Sequence, residues 1–508
     1  MNRRRCEDPV GASLLAKAPG QPTFMLNGKP HSRAGSLPQL FAVFIFTVFL
    51  SGCMVGPDYQ KPAIELPMSF KEGTQWQRAV ANPQGALDSQ WWLDYHDPIL
   101  TDLVQRSAKA NQSIIAAEAA YRLAQAQVAS SRAGLWPTVG VGLSGSRGVG
   151  ASGSNTSGVA GGGSGGVEQS VSAILSASWE PDLWGAVRRS IESSQASAQG
   201  SDALLAGVRL SISASVASNY LGLRQLDIDI GLLEQQQRIN LQLLNMIQVD
   251  FVQGTASNDQ LLVAQDQLTT VVAALQTAER SREQFEHALA VLVGVAPADF
   301  TLPPKSAYTF VLPIPPLALP SALLQRRPDV VAAERSAAAA NARIGVAEAA
   351  FFPTLDLTAE VGFRGTALGG LFSLPNRIWT LGPALAETLF DGGAREAAVQ
   401  QARASYDQDA ANYRGTVLGA LQNVEDNLSA INHLQRQAEA FDQIYQRNQQ
   451  LFGSQEAQKR AGTVSQQAVL TQQLVLLQAE QSLRDTQGAL SQGSVALIQS
   501  LGGGWQTL

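Results

Sequence analysis

Apolar positions along this chain recur with two periods, and the order in which the periods alternate dictates the architecture. Period two appears four times. Val139, Val141 and Leu143 alternate with Gly140, Gly142 and Ser144, and Val171, Ala173, Leu175, Ala177 and Trp179 alternate mainly with serines. A third run sets Leu355, Leu357, Ala359, Val361 and Phe363 against Asp356, Thr358, Glu360 and Gly362, and a fourth carries Trp379, Leu381 and Leu385. Strands of about ten residues, apolar on one face and polar on the other, are the mark of a transmembrane β-barrel. A strand half-buried in a soluble sandwich alternates in the same way.

Helical periods fill most of the rest. No proline interrupts the chain from Gly185 to about Gln253, which predicts one helix on the order of 100 Å long at 1.5 Å per residue. The segment after it repeats in heptads, with Leu261, Leu268, Leu275 and Leu289 on one seam, broken by Arg282, and Ala264, Val271, Ala278, Phe285 and Leu292 on the other. In the second half the seams run through Val417, Val424, Ile431, Ala438, Tyr445 and Phe452, and return through Val469, Leu476, Leu483, Leu490 and Leu497. Each half therefore builds a long antiparallel coiled-coil hairpin.

The two halves are copies. The segment from Ala116 parallels the one from Ala332, with Pro137 matching Pro353, Gly185 paired with Gly392 and Gly254-Thr255 paired with Gly462-Thr463, at an offset of just over two hundred residues. Seven prolines between residues 297 and 320 prevent helix and mark the linker. The predicted organisation is a signal peptide (1–52), an extended segment (53–96), a first repeat (97–296), the linker, a second repeat (321–501) and a short tail (502–508).

Four strands cannot close a barrel, and an open edge in lipid leaves backbone groups unpaired at several kcal/mol each. Two copies would give eight strands with a filled interior, whereas three give twelve and a lumen. The polar strand faces favour the lumen and a cyclic trimer. The expected fold is mainly α with a small β part.

The N-terminus reads as an address. Lys29 and Arg33 precede the apolar run Leu40 to Leu50, which Ser51, Gly52 and Cys53 follow, as in a secretory signal. The Leu50-Ser51-Gly52-Cys53 tetrad resembles a bacterial lipobox, which implies cleavage before Cys53 and lipidation of its thiol; the alternative is an uncleaved anchor. A start at Met25 would give a signal of more ordinary length and leave residues 1–24 untranslated. Met54 stands where an Asp would imply retention at the inner membrane, so the lipobox resemblance implies sorting to the outer membrane.

Composition narrows the function classes. Charged residues make up 15% and the formal charge is −6, without a basic block beyond residue 33, which argues against a nucleic-acid partner. Cys6 and Cys53 are the only cysteines, and His31, His96, His287 and His433 are scattered, so neither metal ligands nor a catalytic constellation can be read. The Gly-rich segment from Gly145 to Gly166 and the stretch from Arg364 to Asn376 are expected as extracellular loops. No enzyme, cofactor or metal site is expected.

The lipobox followed by VGPDYQKP, the RRPDVVAAE segment at Arg326 to Glu334, the aromatic-Pro-Thr corners and the twin Gly-Thr hairpin ends are similar to the TolC/OprM outer membrane factors of the NodT lipoprotein type. The resemblance implies a trimeric twelve-stranded barrel continued by a twelve-helix tunnel, docked on a periplasmic adaptor protein and an inner-membrane RND-type pump. It implies adaptor-binding tips at Gly254, Thr255, Ala256 and Ser257 and at Gly462, Thr463, Val464 and Ser465; a purely structural turn is the plainer reading. The family's acidic gate positions hold Ala468 and Thr471 in the second repeat, and Gln260 in the first, with Asp259 one residue early and Asp266 further along. One residue of shift turns a side chain about 100° around the helix, which puts an acid ring in question. Asp250, Asp259, Lys459 and Arg460 are the candidate gate pairs. The function implied is the exit duct of a drug efflux assembly; alternatives are ATP-driven protein secretion with the same fold, and an envelope scaffold without a pore.

Overall fold

Two sets of helices of matching length follow one another along the chain. A computed structural model describes residues 54–67, 69–72, 90–149, 167–313 and 327–503. Cys53 and the signal segment lie outside the described residues. The first set comprises α1 (Pro98–Ala110), α2 (Gln112–Ala133), β1 (Thr138–Val149), β2 (Val167–Trp179), α3 (Ala186–Val252) and α4 (Asn258–Leu292). The second comprises α5 (Pro328–Ala349), β3 (Thr354–Gly365), β4 (Arg377–Ala386), α6 (Ala394–Arg460) and α7 (Gln466–Ser500). Helices α2 and α5 each have 22 residues, α3 and α6 each have 67, and α4 and α7 each have 35. The repeat is thus a repeat of structure.

Two expectations change. Gly185 corresponds to Gly393, not Gly392: both cap their helices at the N-terminus with left-handed backbone, at φ 86° and 93°. The glycines from Gly145 do not begin a loop, because β1 continues to Val149 and pairs with β2 as far as Val167. Serines across the strand make this pairing good, as where Ser144 and Ser172 share a 2.7 Å hydroxyl hydrogen bond.

The strands form one antiparallel sheet in chain order. The register aligns the alternating residues: Leu143 faces Ala173, which faces Phe363, and Val141, Leu175, Val361 and Trp379 lie in one row. One face is therefore mainly apolar, and much of it is solvent-exposed in the single chain, with Leu143 at 78% and Leu381 at 75%. The other face is mainly Ser, Thr, Gly and acidic residues, with Ile174 and Ile378 flanking Gly362 in one row. Trp179 Nε1 donates to the Leu135 carbonyl at 3.1 Å and Trp184 Nε1 to that of Pro353 at 2.7 Å, so indoles pin both aromatic-Pro corners beneath the sheet.

The core lies at the far end of α1, where Leu100, Leu103, Tyr220, Leu221, Leu289 and Ile498 are buried together. Asp97 caps α1 and accepts from Tyr220 Oη at 2.7 Å. Arg282, the residue that breaks the heptad seam, donates to Asp227 Oδ1 at 2.7 Å and to the Leu302 carbonyl. Arg224 reaches Asp227 Oδ2 at 2.7 Å, and the Lys305 backbone N–H donates to the same oxygen. This network fastens the proline-rich linker to the first hairpin.

The extended segment is bound with equal specificity. Arg189, 1% exposed, donates to the carbonyls of Val55 and Gly56 and pairs with Asp58 and Glu192. Tyr59 Oη donates to Glu334 Oε1 at 2.8 Å, joining VGPDYQKP to the last residue of RRPDVVAAE. Gly56, at φ 98°, lies against the backbone of Gly345, where a Cβ would collide. The two sequence motifs are the two sides of one joint.

Candidate functional site

At the ends of the hairpins the same turn is built twice. Gly254 and Gly462 both have φ 76°, a conformation that costs a side-chain-bearing residue roughly 1–2 kcal/mol. Thr255 donates through its N–H and its Oγ1 to the Asp250 carbonyl, at 2.8 and 2.9 Å. Thr463 does the same to Gln458, at 3.0 Å each. Ser257 Oγ accepts from the Gln260 N–H and Ser465 Oγ from that of Ala468, capping the returning helices. Gly-Thr-x-Ser is thus a turn code in which glycine supplies the backbone, threonine closes the outgoing helix and serine opens the next.

Gln260 departs from the acidic pattern for a local reason. Its Oε1 accepts from the Ser257 N–H at 2.8 Å, completing a capping box that Ala468 cannot form. A methyl group added at Gly254 or Gly462 would meet no atom within 4 Å. The tips are open to an approaching chain.

Beside the first tip, α3, α4 and α7 enclose a groove of about 880 Å³. Asp250, Asp259 and Asp266 all line it, with Gln260, Gln467 and Thr471, and no basic side chain does. The structure therefore gathers three carboxylates in one groove despite the one-residue shift. It does not join them to Lys459 or Arg460: among the described residues no ion pair links these groups, and Arg460 Nε donates to the Glu456 carbonyl at 3.4 Å.

A second titratable pair lies higher on the helices, between the repeats. Gln225 Nε2 donates to both Asp229 Oδ1, at 3.0 Å, and Asp485 Oδ1, at 2.8 Å. Burial, and then the neighbouring Asp485, push the Asp229 carboxyl up to about 7. The raised acid favours the fold while protonated, and that contribution is lost as pH rises from its unfolded value through about 7. Asp229→Asn is expected to stabilise the protein by roughly 1–2 kcal/mol more at pH 8 than at pH 4, after discounting for partial exposure. Thermal unfolding of the variant and the parent across that window checks this, and parallel pH profiles would refute it.

Reading the sequence missed the Asp229–Asp485 pair, Arg189 and the Tyr59–Glu334 joint. Neither the joint nor the pair carries a local signal, since their members lie 275 and 256 positions apart in the chain. Arg189 is a charged residue in the first turn of α3, and nothing in its spacing marks it as buried.

Known proteins share this arrangement. The profile of the outer membrane efflux protein family matches residues 103–295 and 319–503. The probable efflux pump outer membrane protein TtgC of Pseudomonas putida is 30% identical over 468 residues, covering 92% of this chain and 96% of the relative. The pyoverdine export outer membrane protein OpmQ of the same species is 33% identical, covering 85% and 92%. The solved outer-membrane channel OprN superposes with a TM-score of 0.79 at 27% identity, covering 90% of this chain and all of that one. A fold matched along both repeats and relatives matched over nearly their whole length agree: the chain belongs to the outer membrane efflux protein family.

Proposed function

We propose that three copies of this outer membrane efflux protein close a twelve-stranded barrel and a helical tunnel, forming a passive exit duct for small molecules. The observation that carries the reading is the sheet. Its apolar face is exposed, and its outer strands β1 and β4 have unpaired edges within the chain. Only lipid and another copy satisfy both, because a backbone edge in a bilayer must be paired. Twelve strands leave a lumen lined by the serine, threonine and glycine face.

The tips dock a periplasmic adaptor protein through the open space beside Gly254 and Gly462, and an inner-membrane RND-type pump supplies the energy. The acidic groove at Asp250, Asp259 and Asp266 forms the entrance. Cys53 carries the lipid anchor; its neighbour Met54 packs on Gly185, at the level where the sheet gives way to α3, so a lipid attached there is close to the bilayer edge. Relatives named for pyoverdine export and for a different efflux pump share the same frame. A duct of this kind gives little chemistry to any one solute.

Planar-bilayer conductance of the detergent-extracted protein, with its mass measured first, tests the proposal. A mass of three copies with discrete conductance steps is expected. A monomer that stays silent, even with Asp250, Asp259 and Asp266 changed to alanine, would overturn it.

A further inference from the structure

Beneath the sheet, α2, α3 and α5 enclose a second groove, of about 470 Å³, whose charge is opposite to that of the groove at the tip. Ser190, Ser193, Ser194 and Ser197 of α3 line it together with Arg343 of α5, and among the described residues no acidic side chain does. Serines inside helices commonly give their proton to a carbonyl of the preceding turn, as Ser201, Ser213, Ser281 and Ser336 do here. Ser190, Ser193 and Ser197 do not, and among the described residues their hydroxyls have no partner. Ser193 is only 7% exposed, so its hydroxyl is spent neither on its own helix nor on open solvent, but lines the groove. Ser194 and Ser131 share a 2.8 Å hydroxyl hydrogen bond, which uses one of their two protons and leaves the other.

The arginine is in the same condition. Arg189 and Arg335, on the same two helices, are both paired with carboxylates. Arg343 is exposed and, among the described residues, has neither an ion pair nor a hydrogen bond. Helix packing does not require this set of side chains: 208 positions later, where Ala186 corresponds to Ala394, the second repeat has Ala398, Gln401, Ala402 and Ser405 in place of the four serines.

The groove also has a definite direction. One face of α5 carries the segment that leads to Cys53: Tyr59 reaches Glu334 and Ala338, Asn341 Nδ2 donates to the Pro57 carbonyl, and Gly345 meets Gly56. Arg343 is two residues from both Asn341 and Gly345, about 200° around the helix, and so stands on the opposite face. If the anchored segment runs outside the duct, Arg343 faces the lumen. We propose that this groove is a lumenal binding site for the carboxylate of a small organic anion in transit. The Arg343 guanidinium pairs with the carboxylate, the unpartnered serine hydroxyls donate to its remaining lone pairs, and Ala124, Val346 and Ala347 receive the hydrocarbon part.

The lumenal position rests on the duct proposed above, whereas the binding chemistry does not, and two measurements on the detergent-extracted full-length protein separate them. Saturation-transfer nuclear magnetic resonance with benzoate reads binding, with a Kd on the order of 1 mM expected for one solvated ion contact. Arg343→Gln is expected to weaken it about tenfold, the loss of one charge-assisted hydrogen bond, and Ser193→Ala to weaken it less, both with unchanged mass and helical circular dichroism. Benzamide, which has the same ring without the charge, is expected not to bind. In planar bilayers benzoate is expected to reduce the current through the parent protein and not through Arg343→Gln. Equal benzoate binding by the parent and Arg343→Gln, in a protein with the mass of three copies and discrete conductance steps, would overturn the site and leave the duct standing. Phosphate bound as tightly as benzoate would overturn the assignment to organic carboxylates. Arginine-dependent binding to a protein that is monomeric and silent in bilayers would instead overturn the duct, and with it the lumenal position, while leaving the groove as a binding site.

Discussion

Asp227→Ala is expected to destabilise the protein by about 3–5 kcal/mol, the largest effect of any single polar substitution proposed here. The Asp227 side chain is fully buried and accepts from Arg224, from Arg282 and from the Lys305 backbone N–H. Its removal strands the Arg224 guanidinium, 1% exposed, without its carboxylate. It also releases the linker, whose Leu302, Pro303 and Lys305 backbone groups are held through these side chains and Glu286. Denaturant unfolding of the extracted protein followed by near-ultraviolet circular dichroism measures the loss. Arg224→Met added to the variant is expected to recover part of it, because that change removes the stranded cation. A loss below about 1 kcal/mol would show that water reaches the site.

Gly254→Val combined with Gly462→Val is expected to abolish efflux-dependent resistance in the native host while the trimer mass and bilayer conductance stay unchanged. Each valine adopts left-handed backbone at a cost of roughly 1–2 kcal/mol, local to an exposed turn. Neither meets an atom of its own chain, so the added side chains occupy only the space left to a docking partner. Resistance at the parental level would reduce the tips to structural turns. Loss of the trimer would instead place the effect on folding.

The pH response of Asp229 arises from a contact between the repeats, with an acid that comes from α7. The periodicity within one repeat says nothing of it, because a helix seam describes only which face is covered, not which polar group of a distant helix meets it.

Much of this protein follows from local sequence alone. Heptads with no proline fix two hairpins of equal length, since period 3.5 keeps one stripe against a partner helix. Alternation over ten residues with an apolar face fixes strands, and their number, four, rules out a closed barrel in one chain. Gly, Thr and Ser at fixed spacing fix the tips, because φ, a hydroxyl and a cap are requirements of single residues. Tertiary structure alone decided the rest. It settled that Gly393 rather than Gly392 caps α6, that the glycines from Gly145 remain in a strand because β2 pairs with them, Gly145 opposite Val171 and Gly148 opposite Glu168, and that three aspartates share a groove despite their displaced spacing. It also brought Tyr59 to Glu334 and Arg282 to Asp227. The physical reason is range: backbone preference and periodicity act within a turn or two, whereas a hydrogen bond between buried polar groups is chosen by whatever the folded chain places within 3 Å, however far away in sequence.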